Sequence, residues 1–272
     1  MSTVPTKVRE RLAAGIKKFQ PIVADKLKSD ACEADTSVLV TAILCELFGY
    51  DMFSEIISEY KVKYTSCDKA IKLGEKVVLL IEIKAIGKQL NDPHLHHRDQ
   101  AVDYAALDGT DWVVLTNAAH WQVYRMLWGK PVDFELVFQF NFCDLKARAE
   151  ADIEMLSLLA KESWHKDRLD EYQTQKHALS RFSLAALILS DPILDVLRRE
   201  LRRLSPGIKI DTEQIAEVLQ AEVLKRDVID DDKAAAARKL VAKAAGRMLR
   251  TNNAGKGDGG EGEDGAAENA PG

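Results

Sequence analysis

The apolar positions of the first thirty residues recur every three or four places, at Val8, Leu12, Ile16, Phe19, Val23 and Leu27. That spacing predicts an opening amphipathic helix. A second helix is expected from about Ala34 to Phe48, stopped by Gly49, because glycine ends a helix in the left-handed conformation without steric cost. From Glu55 the period drops to two. EIISEYKVKY (Glu55–Tyr64) and SCDKAIKL (Ser66–Leu73) alternate, GEK makes a turn, and VVLLIEIK (Val77–Lys84) follows. Three successive strands in a meander are expected. HRDQAVDYAALDG (His97–Gly109) returns to helical spacing and stops at its glycine; DWVVLTN, WQVYRM and DFELVFQFNF, between Asp111 and Phe142, are strand-like again. Beyond Leu145 the pattern is helical, punctuated by Pro192 and by Ser205–Gly207.

These shifts divide the chain into an α/β domain (1–144), a helical C-terminal region (145–250) and a Gly-rich acidic tail (251–272). The tail holds nothing large and apolar to bury, so disorder is expected there. It also carries most of the charge. Of the net −5, −4 belongs to residues 251–272, where Lys256 faces Asp258, Glu261, Glu263, Asp264 and Glu268. The remaining body is close to neutral, which neither supports nor excludes a nucleic-acid partner. No apolar run approaches the roughly 18 residues of a membrane span and the N-terminus is polar, so neither a spanning helix nor a secretory signal is expected. Cys32, Cys45, Cys67 and Cys143 are scattered without a CxxC pair. That spacing argues against a zinc site or a disulfide framework and suits reduced thiols in a cytoplasm.

One strand breaks its own pattern. VVLLIEIK reads as a buried strand until Glu82 and Lys84 interrupt it, and charges at the end of a core strand are costly unless paired, hydrated or holding something. Residues i and i+2 of a strand share a face, so Glu82 and Lys84 point one way while Ile81 and Ile83 point into the core. Asp68, in the preceding strand, comes close to Glu82 if the hairpin through Leu73–Lys76 is tight. Converging carboxylates repel each other unless a cation lies between them. Oxygen ligands with open water positions suit Mg²⁺ or Mn²⁺. A neighbouring lysine can then orient or deprotonate a water that attacks a phosphodiester. A D/E-x-K triplet alone means little, for this chain has four: Glu59/Lys61, Glu82/Lys84, Asp144/Lys146 and Asp231/Lys233. Only Glu82/Lys84 ends a buried strand with an aspartate in the strand before it.

The order α-β-β-β-α-β, with Asp and then Glu-x-Lys, resembles the PD-(D/E)XK nuclease superfamily, and more closely the N-terminal nuclease domain of type I restriction enzyme R subunits. EADTSVLVTAILCELFGYD is similar to that domain's opening helix, SCDKAIKLGEKVVLLIEIKAIG to its Asp…Glu-x-Lys hairpin, QAVDY to its Gln-x-x-x-Tyr motif and WVVLTNAAHWQVYRM to its closing strands. The resemblance spans Glu33 to Met126. It implies a restriction-endonuclease-like α/β core, a mixed sheet flanked by helices, followed by a helical appendage. It also implies a Mg²⁺- or Mn²⁺-dependent nuclease acting on DNA in defence against foreign DNA. Asp68 and Glu82 become metal ligands and Lys84 the catalytic lysine. Glu33 is either a further ligand or simply an acid favoured near a helix N-terminus. Gln100 and Tyr104, i and i+4 on one helical face, either reach the same phosphate or metal-bound water or pack on the sheet. Lys88 and Arg98 are candidate phosphate contacts; His94, His96 and His97 are expected as solvated loop residues. Two departures are Cys67 before the aspartate and LTNA in place of LTNG. The chain has no G-x-x-x-x-G-K-[ST] run, so no ATP-driven motor and no nucleotide cofactor is expected. A fold retained only for binding nucleic acid or for assembly is the alternative.

In the helical region, DPILDVLRRELRRL places Asp191 at an N-cap and Pro192 at the first helical position. Ile193, Leu197, Leu201 and Leu204 form its expected core stripe, opposite a band of Arg198, Arg199, Arg202 and Arg203. The band is either a solvated face or, through Arg198 and Arg202, a contact to nucleic-acid phosphates. The region's helices make either a small domain or a homodimer interface.

Overall fold

The computed structural model describes residues 4–90 and 97–254. The chain folds as two compact units, residues 1–173 and 174–272.

The first unit is mixed α/β. Helices α1 (Thr6–Lys28) and α2 (Glu33–Glu46) lead into strands β1 (Ile56–Val62), β2 (Thr65–Leu73) and β3 (Lys76–Ile83). Helix α3 (His97–Asp108) then crosses to β4 (Trp112–Thr116), followed by β5 (His120–Leu127) and β6 (Asp133–Asn141). The six strands lie in sequence order in one sheet. Only β3 and β4, joined by the α3 crossover, run parallel; the other neighbours are antiparallel. The sheet is mixed and flanked by helices, as expected.

Two cores sandwich it. On one face Leu12, Ile16, Phe19 and Val23 of α1 and Val40, Ile43 and Leu44 of α2 pack on Ile71, Ile81, Ile83 and Val114. Trp121 sits at the centre of this core, stacked on Phe140 at 5.9 Å and edge-on to Phe48 at 5.7 Å. Leu27, predicted on the same stripe, is 42% exposed, since the helix ends one residue later. On the other face Ala101, Val102, Tyr104 and Ala105 of α3 cover Ala70, Leu80, Val113 and Leu115.

The α/β unit extends past residue 144, where composition alone divides the chain. Ile153 and Leu156 of α4 (Glu150–Ser157), then Leu158, Leu159 and Leu169, join the first core around α5 (Lys161–Trp164). Polar clamps fix this segment. The Gln20 amide donates to the carbonyls of Phe142, Cys143 and Leu145. The buried Tyr50 hydroxyl donates to Leu159 O and accepts from Trp164 Nε1.

Helix α6 (Arg168–Ala178) leads into the second unit, which contains α7 (Arg181–Ile188), α8 (Asp191–Leu204), α9 (Thr212–Val218), α10 (Arg226–Ile229) and α11 (Asp232–Ala254). The first four residues of the expected tail therefore belong to α11, and 255–272 lie outside the described residues. Helix α8 is capped by Ser190, with Asp191 already its first helical residue. The expected stripe is not its core. Leu194 is the residue α8 buries, at 5%, while Ile193 and Leu201 are 38% and 36% exposed and Leu204 is 79% exposed. Among the described residues no helix is long and apolar enough to cross a membrane.

Candidate functional site

The parallel pair β3–β4 ends with Ile83 beside Thr116, and open α/β sheets place ligands beyond such carboxyl ends. The residues singled out from the sequence meet there. The antiparallel ladder of β2 with β3 closes at Lys69 opposite Ile81; just beyond it Asp68 and Glu82 come close enough for the charge of Asp68 to act on Glu82. Ile81 and Ile83 turn the other way, into the α1/α2 core, as the two-residue period requires.

Among the described residues four contacts tie the cluster together. The Ile83 amide donates to Asp68 Oδ2 at 2.6 Å. Lys84 Nζ donates to Glu82 Oε1 at 2.6 Å and to Gln100 Oε1 at 3.2 Å. Gln100 Nε2 in turn donates to the Tyr104 hydroxyl at 2.6 Å. The i, i+4 pair on α3 therefore reaches the lysine through glutamine, while the tyrosine ring packs in the smaller core. Packing on the sheet, one of the two expectations for this pair, is what Tyr104 does.

Glu33 stands exposed at the first position of α2. It is near enough for its charge to raise the pKa of Asp68, Glu82 and Lys84. Just before α2, Ala31 O accepts from the Ile86 amide at 3.4 Å, past the end of β3. Lys88 is exposed in the loop that follows β3. Arg98 lies in the first turn of α3, but its side chain, like that of His97, lies outside the described residues, as do His94 and His96. Arg198 and Arg202 belong to the other unit and are engaged locally. Arg198 pairs with Asp195 at 2.8 Å, and Arg202 donates to Ile210 O at 2.9 Å.

Burial and like charge set the electrostatics. Glu82 is 3% exposed. Burial, helped by the charges of Asp68 and Glu33, pushes its carboxyl up to about 7 against the opposing Lys84 hydrogen bond. Burial also raises Asp68, with Glu33 adding to it and the Ile83 amide and Lys84 opposing. For Lys84, burial pulls the ammonium down, yet the Glu82 hydrogen bond and the charges of Glu82, Asp68 and Glu33 outweigh it, so its pKa is raised. Three carboxylates thus share one ammonium. Lys69, the other buried lysine, is felt by Asp68 but sits on the opposite face, donating to Ser58 Oγ at 3.2 Å. Among the described residues the cluster is short of positive charge.

Among the described residues no group of three or more His, Cys, Asp and Glu side chains is arranged to hold a metal ion. Mg²⁺ does not require one. It keeps several waters and binds through one or two carboxylates plus substrate phosphate oxygens. Asp68 and Glu82, adjacent, oxygen-bearing and under-neutralised, fit that pattern.

Sequence reasoning missed what holds the end of the site. Asn117, 2% exposed, donates through Nδ2 to the carbonyls of Ile86 at 3.0 Å and Lys88 at 2.8 Å. Its Oδ1 accepts from the His120 amide at 2.7 Å. The available signal was a lone polar residue ending the buried run WVVLT. Asn117→Ala leaves buried backbone groups unpaired, and a loss of about 2 kcal/mol is expected, checked by urea unfolding. The two departures also find physical reasons. Cys67 is buried against Ile81 O at 3.2 Å and acts as a small apolar filler. Ala118 has φ +67, a conformation glycine adopts more readily.

No protein-family model, curated protein or solved structure matches the chain.

Proposed function

We propose that this chain is a nuclease of the PD-(D/E)XK type, a divalent-metal-dependent phosphodiesterase acting on nucleic acid, DNA foremost, with no motor of its own. The observation that carries the reading is the meeting of Asp68, Glu82 and Lys84 at the carboxyl ends of a parallel strand pair. In support stands the element order α-β-β-β-α-β around it.

Hydrolysis adds a water oxygen to phosphorus and breaks one P–O ester bond, and the departing sugar oxygen takes up a proton. Asp68 and Glu82 would hold the metal, which supplies Lewis-acid stabilisation of the phosphate and a more acidic bound water. Lys84 is a fixed cation at that spot. Its ammonium is positioned to donate to a phosphate oxygen or to the attacking water, where charge develops as the bond forms. Gln100 anchors the ammonium, and Tyr104 fixes the Gln100 amide. Such a chain of partners narrows the positions the lysine can adopt, which is what precise orientation requires.

The test is a cleavage assay of the full chain on single- and double-stranded DNA and RNA with Mg²⁺, Mn²⁺ or EDTA. Divalent-dependent cleavage of at least one substrate is the expected result. Binding without cleavage under every divalent condition would make the chain a binding module of the same fold. A folded chain that neither binds nor cleaves nucleic acid would overturn the reading.

A further inference from the structure

The β1–β2 hairpin reaches past the site. Its ladder pairs Tyr60 with Cys67, Lys61 with Ser66 and Val62 with Thr65, whereas the β2–β3 pairs start only at Lys69. Beyond Lys69 the backbone ladder of β2 continues with β1, while Cys67 and Asp68 reach β3 through their side chains. The two-residue turn, Lys63–Tyr64, lies about 13 Å of strand beyond Asp68 at about 3.3 Å per residue. It emerges at the same end of the sheet as Glu82, Lys84 and the Lys88 loop.

The composition of this tip is unusual for a turn. Tyr64 is 100% exposed, with its whole ring in solvent. Lys61, Lys63 and Ser66 beside it are exposed, and Lys63 holds φ +50 without being glycine. A non-glycine residue in that conformation costs about 1 kcal/mol, and such strain collects where a segment does something. Val62, by contrast, is buried at 2%, so the tip has an anchored base. The exposed ring is flanked by cations and hydroxyls, not by other apolar side chains. That pattern lacks the apolar centre of a protein interface and has the two parts of a single-strand site, a stacking ring and backbone-neutralising lysines.

We infer that the Lys61–Ser66 tip is a nucleic-acid arm, on which Tyr64 stacks an unpaired base while Lys61 and Lys63 contact phosphates of the strand entering the site. The inference rests on the nuclease reading and narrows its substrate to one with single-stranded character near the cut. A paired base in a duplex has both faces already stacked and offers no ring to Tyr64.

The test measures fluorescence anisotropy of a labelled oligothymidylate and of a duplex of equal length, with EDTA present to prevent turnover. The proteins are the full-length wild type, Tyr64→Ala, Tyr64→Phe and the Lys61→Ala/Lys63→Ala pair. Tyr64→Ala is expected to weaken single-strand binding about tenfold or more, to leave duplex binding near wild type and, the side chain being free of contacts, to leave the thermal melt unchanged. Tyr64→Phe keeps the ring and stays close to wild type. The double lysine variant lowers the slope of log K against log salt by about 1.4 on single strands. Tyr64→Ala binding the oligothymidylate as tightly as wild type would overturn the arm and leave the nuclease reading standing. Equal losses on single strand and duplex would overturn the unpaired-base preference. A wild type that binds neither nucleic acid at low salt would sink both readings together.

Discussion

Lys84→Ala is expected to lower the cleavage rate by about 10²- to 10⁴-fold, the range a single positioned proton-transfer or charge-stabilising group contributes. The physical ground is where the ammonium is held and in what state. Glu82 and Gln100 both accept from Nζ, and the surrounding carboxylates keep the group protonated despite its burial. It is thus a positive charge ready before the phosphorane charge develops, with no reorganisation left to make. Truncation removes that charge from the transition state more than from the bound substrate, so kcat should fall with little change in KM. Lys84→Arg keeps a cation but spreads it over a planar fork, too large for a slot with acceptors at 2.6 and 3.2 Å. Only a small part of the activity should return. Folding of the alanine variant is checked by its melt; Glu82, already raised to about 7, can remain neutral once its partner is gone. Cleavage at the wild-type rate by a folded Lys84→Ala chain would reduce the lysine to a structural counter-ion.

The site was legible because a strand has a period of two. Ile81 and Ile83 must enter the core, so Glu82 and Lys84 must share the other face, and a short turn then brings Asp68 to the end of the same strand. Less could be read where the chain breaks its own residue preferences. The strand expected to run to Tyr64 ends at Val62, because Lys63 takes a left-handed conformation that no Gly, Asn or Asp announces. The stripe predicted for α8 stays exposed while Leu194 is buried, since a helical period tells which residues share a face but not which face meets a neighbour. Residues 145–173 read as part of a helical region and pack on the α/β unit, because the clamps from Gln20 and Tyr50 are long-range and leave no local signature. The role of Asn117 went unread for the same reason, although a polar residue after WVVLT hinted at it: its partners lie about thirty residues upstream.

Glu82 should make the metal-free protein less stable as pH rises, the reverse of the usual carboxylate. Folded, its carboxyl titrates near 7; its ordinary value is 4.5. Between those values the folded state binds more protons than the unfolded one, so stability falls with rising pH through this window and is flat above it. At 1.36 kcal/mol per pKa unit the full effect is about 3 kcal/mol. Among the described residues the titratable groups facing Glu82 are Asp68 and the Cys67 thiol on β2, Lys84 beyond β3 and Glu33 at the start of α2. Lys84 is raised from a value of 10.5 and stays charged across the window. The clean measurement is a difference, which cancels the titration of groups that do not interact with Glu82. In EDTA, the stability of Glu82→Gln minus that of wild type, from urea unfolding, should grow by about 3 kcal/mol between pH 4.5 and 8. A flat difference would mean that Glu82 carries no such burden. Mg²⁺ provides the decisive contrast. A cation held by Asp68 and Glu82 binds the ionised form, so saturating Mg²⁺ should flatten or reverse the wild-type decline and leave Glu82→Gln almost untouched. A carboxylate that destabilises the fold when empty and stabilises it when loaded is retained for what it binds, and that is what separates a working site from a buried ion pair.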